Sequence, residues 1–222
     1  MRRAALALGL MVLAAAWLAP SSGLLPGPFT AHMTMHMGVV AVAAPLLAFG
    51  LARGPFDPVK RWSAWFAPIP LSMLELVVVW AWHAPALHRF ARHTMLGVVL
   101  EQACFFACGT AVWLSALGGG RQERAQRAAL GVVALLLTSM HVTLLGALLA
   151  LPPRALYAHA GHDGSHALNA LEDQHLGGAI MLIVGGVAYL AGGLALCAEL
   201  MRARRGRVGS AARVAPAVRA EP

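Results

Sequence analysis

Long apolar runs separated by short polar stretches organise the whole chain. A helix needs about 20 mostly apolar residues, with a range of roughly 17–25, to cross a bilayer. Six segments approach that length: Ala4 to Ala19, Phe29 to Leu51, about Trp65 to His83, about His93 to Leu117, Arg127 to Ala150, and about His175 to Met201. The pattern predicts an all-α fold, a polytopic transmembrane bundle of about six helices. The first segment has two readings. Arg2 and Arg3, a short apolar run and the small residues near Pro20 to Gly23 also describe a signal peptide. A retained helix over residues 1–20 is the expectation; a cleaved signal would leave five spans and the same sidedness downstream. Residues 1–201 thus form a single transmembrane domain. Residues 202–222 are a basic tail, rich in Arg, Ala and Val, expected to be disordered.

Composition supports a lipid-embedded chain. It is 59% hydrophobic and 12% charged, where soluble domains average roughly 25% charged residues. No stretch is long and polar enough for a separate soluble domain. The formal net charge of +8 could point to nucleic acid. The cations instead sit in short loops and at the C-terminus, as membrane topology requires, so no nucleic-acid partner is expected. With both termini cytoplasmic, the inside holds Arg2, Arg3, Arg53, Lys60, Arg61, Arg121, Arg124, Arg127 and every arginine from Arg202 onward. The outside holds Arg89, Arg92 and Arg154, a division of fourteen against three. The positive-inside rule selects that orientation. The three cysteines, Cys104, Cys108 and Cys197, all lie in apolar runs, which argues against a disulfide framework.

Sidedness fixed by Lys and Arg then places the histidines independently: all ten fall in the outer half. The densest group is His32-Met33-Thr34-Met35-His36-Met37. On a helix, residues four apart share a face, so His32 and His36 point together and Met33 and Met37 make an adjacent pair. Imidazole suits copper among other metals, and thioether sulfur selects Cu(I). The methionines could equally be packing or lipid-facing residues, but polar groups at membrane depth are costly and usually functional. His83 follows two tryptophans and precedes Pro85; it is a ligand or an interfacial helix-end residue. His88 and His93 are expected in a solvated loop. His141, inside the fifth helix, needs a partner in the bundle interior. His159, His162 and His166 lie in a loop that could collect metal weakly or simply be solvated. Asp173 complements the dipole at the start of the sixth helix, and His175 is expected to face the bundle level with His36.

Two carboxylates, Glu75 and Glu101, fall mid-helix on neighbouring spans and are expected to pair with each other or with His141. Cys104 and Cys108, four apart on one face, could hold Cu(I) or be ordinary buried thiols.

These residues also resemble a known family. Ala31-His32-Met33-Thr34-Met35-His36-Met37 resembles the HMxxHM signature of the CtaG family, membrane proteins associated with assembly of caa3-type cytochrome c oxidase. Trp82-His83-Ala84-Pro85 resembles its WHxP element, and Asp173-Gln174-His175-Leu176-Gly177-Gly178 its DQxLGG element. Order and spacing match over about residues 25 to 200. One departure stands out: after Glu101 the family pattern leads to a His, and here Gln102 occupies that place. A ligand there would be lost, or replaced by a residue such as Cys104.

The resemblance implies a non-enzymatic assembly factor in the bacterial plasma membrane, working with cytochrome c oxidase subunits on the copper centres of the oxidase. Its copper, as Cu(I), would be held by His32, Met33, His36, Met37, His83, His141 and His175. Two other classes remain open on the residues alone: a haem b-binding membrane redox protein with axial histidines, and a copper transporter using Glu75, Glu101, Cys104 and Cys108. The cytoplasmic loops carry no matching ligand cluster, which weighs against transport.

Overall fold

In a computed structural model the described residues, 1–157 and 168–214, are almost entirely helical. Helix α1 spans Arg2–Leu18. Helices α2 (Pro28–Met37) and α3 (Ala44–Leu51) are joined through a π-helical turn, Gly38–Ala43, into one unbroken helix, Pro28–Leu51. Helix α4 (Pro68–His83) meets α5 (Pro85–His93) at a 70° bend. Then come α6 (Met95–Leu117) and α7 (Arg124–Ala150). Helices α8 (Ala170–Ile180) and α9 (Gly186–Val214) run on through a second π-helical turn, Met181–Gly185.

Each of the six apolar segments is therefore helical. Four are long and apolar enough to cross a membrane: Pro28–Leu51, Met95–Leu117, Arg124–Ala150 and Ala170–Gly206. The bent pair α4–α5 makes a fifth if taken as one span. Helix α1, with 17 residues, rises about 25 Å, short of a hydrocarbon core of about 30 Å. Helix α9 continues past Met201 to Val214, through a stretch of Arg and Ala, both good helix formers.

Local chemistry sets the boundaries. Pro28, Pro68 and Pro85 each sit in the first turn of a helix, where the missing N–H costs nothing. Proline also disfavours the α conformation in the residue before it. Ala84 is accordingly extended (φ −64°, ψ 138°), which ends α4 at His83 and swings α5 away. Thr94 caps α6 by accepting from the Gly97 N–H. Asn169 and Glu172 form a capping box at α8.

Small residues let the helices close. A side chain on Gly9 would meet Leu47, and one on Gly50 would meet Leu6, so α1 lies tight against α3. A Cβ on Gly178 would sit 2.5 Å from the Ala150 backbone nitrogen, and one on Gly146 2.7 Å from that of Leu182. Such close approach is how helices pack in lipid, where burial of apolar surface gives no drive for association. Outward faces carry Val77, Met140, Leu144, Leu148, Ile183, Val187 and Leu194, all exposed, while the buried set includes His32, His36, Glu75, Glu101 and Gln102. Polar side chains inside and aliphatic ones outside are what a lipid solvent demands.

The end of the bundle far from His32 is tied by ions. Glu199 binds Arg124 at 2.7 Å and Arg53 at 3.0 Å. Arg127 donates to the Phe66 and Ser63 carbonyls and pairs with Glu123. Asp57 accepts from the N–H groups of Arg53, Val59 and Gly119, fixing the turn after α3 to the end of α6.

Candidate metal centre

Four helices bring five ionisable side chains to one end of the bundle. Helix α2 presents His32 and His36 one turn apart, their rings 6.3 Å apart and nearly parallel. The last turn of α4 places His83 with its ring 5.4 Å from His36 and 6.1 Å from His32. The bend at Pro85 folds α5 back so that the His88 ring lies 5.3 Å from that of His32. Helix α6 adds Glu101, whose Oε2 is 3.6 Å from His32 Nδ1. One ligand atom from each of His32, His88 and Glu101 falls within 4.8 Å of the others. None of the five side chains is more than 4% exposed.

Hydrogen bonds orient the cluster. His83 Nδ1 donates to the Val79 carbonyl at 2.7 Å. A carbonyl only accepts, so the proton belongs on Nδ1 and the lone pair on Nε2. The Tyr157 hydroxyl donates to the His83 carbonyl. Burial, with Glu101 adding to it, pushes the Tyr157 phenol up to about 12, so it stays a donor. Glu101 is held by an ion pair with Arg92 and by the Gln102 amide at 3.3 Å. Phe29 stacks on Tyr157 at 4.9 Å, and Phe105 lies 4.0 Å from the His36 ring, closing the flanks.

Among the described residues, both ring nitrogens of His32 and His36, Nε2 of His83 and Oε1 of Glu101 have no hydrogen-bond partner. One buried unsatisfied polar atom costs about 1–3 kcal/mol. Several gathered in one region call for an explanation, such as a bound ion or water. Imidazole and carboxylate suit first-row divalent metals and copper, so the residues fit a metal ion.

The motif residues outside the cluster support it from behind. Asp173, on α8, accepts from the Phe29 and Thr30 N–H groups, both at 2.8 Å. It therefore caps α2, the helix that carries His32, while Asn169 and Glu172 cap its own helix. A Cβ on Gly27 would sit 2.2 Å from the Asp173 carboxyl carbon. Gln174 accepts from the Leu156 N–H at 2.6 Å and donates to the Leu149 carbonyl at 3.1 Å, tying down the segment that bears Tyr157.

Of the histidines and methionines singled out in the sequence, His32, His36 and His83 come together. Met33 and Met37 turn to the other side of α2. A Cβ on Gly177 would lie 3.0 Å from Met33 Cγ, and one on Gly185 3.5 Å from the Met37 sulfur. His141 stands apart, buried on α7 beside a lipid-side groove of about 660 Å³ lined also by Met73, Leu76 and Leu144. His175 hydrogen-bonds the Pro152 carbonyl at 2.9 Å instead of facing His36. Cys104 and Cys108 are partly buried free thiols on α6. His159, His162 and His166 lie outside the described residues.

Two further expectations change. Glu75 pairs with neither Glu101 nor His141; it accepts from the Tyr189 hydroxyl at 2.8 Å and from Thr138 at 3.0 Å. His88, expected in a solvated loop, is 1% exposed and inside the cluster, while His93 is exposed as expected. Periodicity does not single His88 out: over Pro85 to His93 the apolar i, i+3, i+4 set is Leu87, Phe90 and Ala91, and Leu87 and Phe90 are exposed.

A family profile described as cytochrome c oxidase caa3 assembly factor (Caa3_CtaG) matches residues 1–203, which includes every residue of the cluster. No curated protein and no solved structure matches the chain.

Proposed function

This chain belongs to the cytochrome c oxidase caa3 assembly factor family, and from that premise we propose that it is a non-enzymatic copper carrier for the oxidase. His32, His36, His83, His88 and Glu101 hold the ion, and the oxidase receives it. The observation that carries this proposal is the set of unpartnered, buried imidazole nitrogens of His32, His36 and His83 from two helices, with rings 5.4–6.3 Å apart, beside the Glu101 carboxylate. The chain spans the bacterial plasma membrane six times, with α1 as a short retained span and both termini inside. The division of Lys and Arg along the chain supports that orientation, which puts the histidines at the outer face.

Copper is cargo here, and the residues bind, orient and shield it. The Val79 carbonyl holds His83 Nδ1, which leaves Nε2 for the ion, and Tyr157 braces the His83 backbone. Arg92 offsets the charge of Glu101, which leaves one carboxylate oxygen to the metal. The donor set is nitrogen and oxygen. The contacts of Met33 and Met37 with the glycine face of the last helix favour packing over ligation for those two sulfurs.

Metal analysis and absorption spectroscopy of the detergent-purified chain test this. Wild type retains copper; a His32→Ala/His36→Ala variant of unchanged helicity by circular dichroism loses it; neither shows a haem Soret band. Equal, negligible copper in both proteins sinks the proposal, and a Soret band in wild type replaces it with haem ligation.

A further inference from the structure

The end of the bundle opposite the histidines holds a second site of different chemistry. A cavity of about 370 Å³ is lined by Arg2, Arg53, Lys60, Arg121 and Arg124. These five cations come from four separate stretches of chain: the start of α1, the turn after α3, the short segment beyond it, and the α6–α7 connection with the first residue of α7. Three carboxylates lie nearby, each already engaged: Glu199 pairs with Arg53 and Arg124, Asp57 accepts from the Arg53, Val59 and Gly119 backbone N–H groups, and Glu123, which borders an adjoining cavity, pairs with Arg127. The Lys60 ammonium donates to the Arg53 and Gly54 carbonyls, which orients it without neutralising it. The side chains of Arg2 and Arg121 make no hydrogen bond or ion pair among the described residues. Arg121 also borders two adjoining cavities of about 270 and 290 Å³, so it stands in the middle of one basic cleft.

Like charges brought together from distant parts of a fold repel one another unless an anion answers them. Phosphate, with several acceptor oxygens, matches a ring of guanidinium forks. The level of the cleft identifies the source. The loop beside it exposes Phe56, Trp62 and Trp65, at 83%, 53% and 81%, and Arg61 lies 5.5 Å over the Trp62 ring. Exposed aromatic rings of this kind mark the level of lipid headgroups. Four apolar helical segments, α1, α3, α6 and α7, begin or end at the cleft, so it opens where the hydrocarbon stops.

We infer that this cleft is a binding site for the phosphate headgroup of an anionic phospholipid. Arg2 and Arg121 supply the free charge, Arg53 and Arg124 are held in place by Glu199, and Lys60 closes the rim. The site anchors α1, the least membrane-fit helix, to the loops beneath α3 and α6.

The test uses the full chain in neutral detergent, titrated with phosphatidylglycerol, phosphatidylcholine or inorganic phosphate, with lipid retention read by native mass spectrometry and Tm by thermal unfolding. Phosphatidylglycerol should be retained and raise Tm, and phosphatidylcholine should do neither. At the usual contribution of a cation to anionic-lipid binding, Arg2→Gln/Arg121→Gln should weaken retention roughly 30-fold. Arg121→Gln alone, which breaks no existing bond, should weaken it roughly fivefold. Arg154→Gln, at the other end of the bundle, should leave it unchanged. Equal retention of both lipids, or equal retention by wild type and the double variant, overturns the inference. So does stabilisation by inorganic phosphate that matches phosphatidylglycerol, which would make the ligand a soluble phosphate.

Discussion

The direction of one hydrogen bond decides what His83 offers. Its Nδ1 proton goes to the Val79 carbonyl, so Nε2 is the nitrogen left free in a ring 6.1 Å from His32 and 5.4 Å from His36. Helix periodicity already says that His32 and His36 share a face, and it says the same of Met33 and Met37. It does not say which of the two adjacent faces meets α4 and which meets the last helix, because that angle is set by the neighbours. Here the glycines decide it: Gly177 and Gly185 leave room for Met33 and Met37, and the imidazoles take the other side. Two predictions belong at this scale. Met33→Leu and Met37→Leu should keep their copper by metal analysis and lose less than about 1.5 kcal/mol of stability, as volume-conserving changes do. His88→Ala should lower bound copper in the same assay, whereas His93→Ala, exposed on the same short helix, should not.

At the level of helices, the cap on α2 comes from elsewhere in the chain. Asp173 and the N–H groups it accepts are 143 and 144 residues apart. In the sequence, Asp173 looks like a cap for the helix it sits in, a job that Asn169 and Glu172 perform. The long-range role is invisible there because nothing local distinguishes an acid that caps its own helix from one that caps its neighbour. Removing Asp173 leaves the first N–H groups of α2 unmet inside the protein. Asp173→Ala should therefore cost about 0.5–2 kcal/mol and lower copper occupancy, since His32 follows two residues after the capped Thr30. Thermal unfolding and metal content, measured together, check both halves. The break between α4 and α5 was easier to foresee as a break than as a fold-back: Pro85 announces that the helix stops, but the 70° turn that buries His88 follows from packing against α2 and α6.

Across the whole molecule, the two ends carry opposite chemistry, and that division was legible from the positions of Arg, Lys and His alone. The number of full spans was less so. Hydropathy counts apolar residues, while span length depends on where proline and capping groups cut the helix, which shortens α4 to 16 residues and leaves α1 with 17. Backbone contact between the two halves of the last hairpin is another global constraint. Gly178→Leu would drive a side chain into the backbone of Ala150 and Leu149, and should lower stability by at least about 1–3 kcal/mol, read as a fall in Tm. The π-helical turn at Gly38–Ala43 acts across the same distance. Such a turn holds one residue more than an α-helical turn, so in genetic terms it is a one-codon insertion. Deleting Val39 would close the wide turn into an ordinary one and leave the faces above and below it aligned as they are, because the turn already absorbs the extra residue. His32 and His36 would keep the face that meets His83. A chain one residue shorter at the wide turn should therefore still bind copper by metal analysis, whereas the same deletion at Ala48, in regular α-helix, offsets the two faces by roughly 100° and should not, which makes the place of a lost codon, as much as residue identity, a determinant of the site.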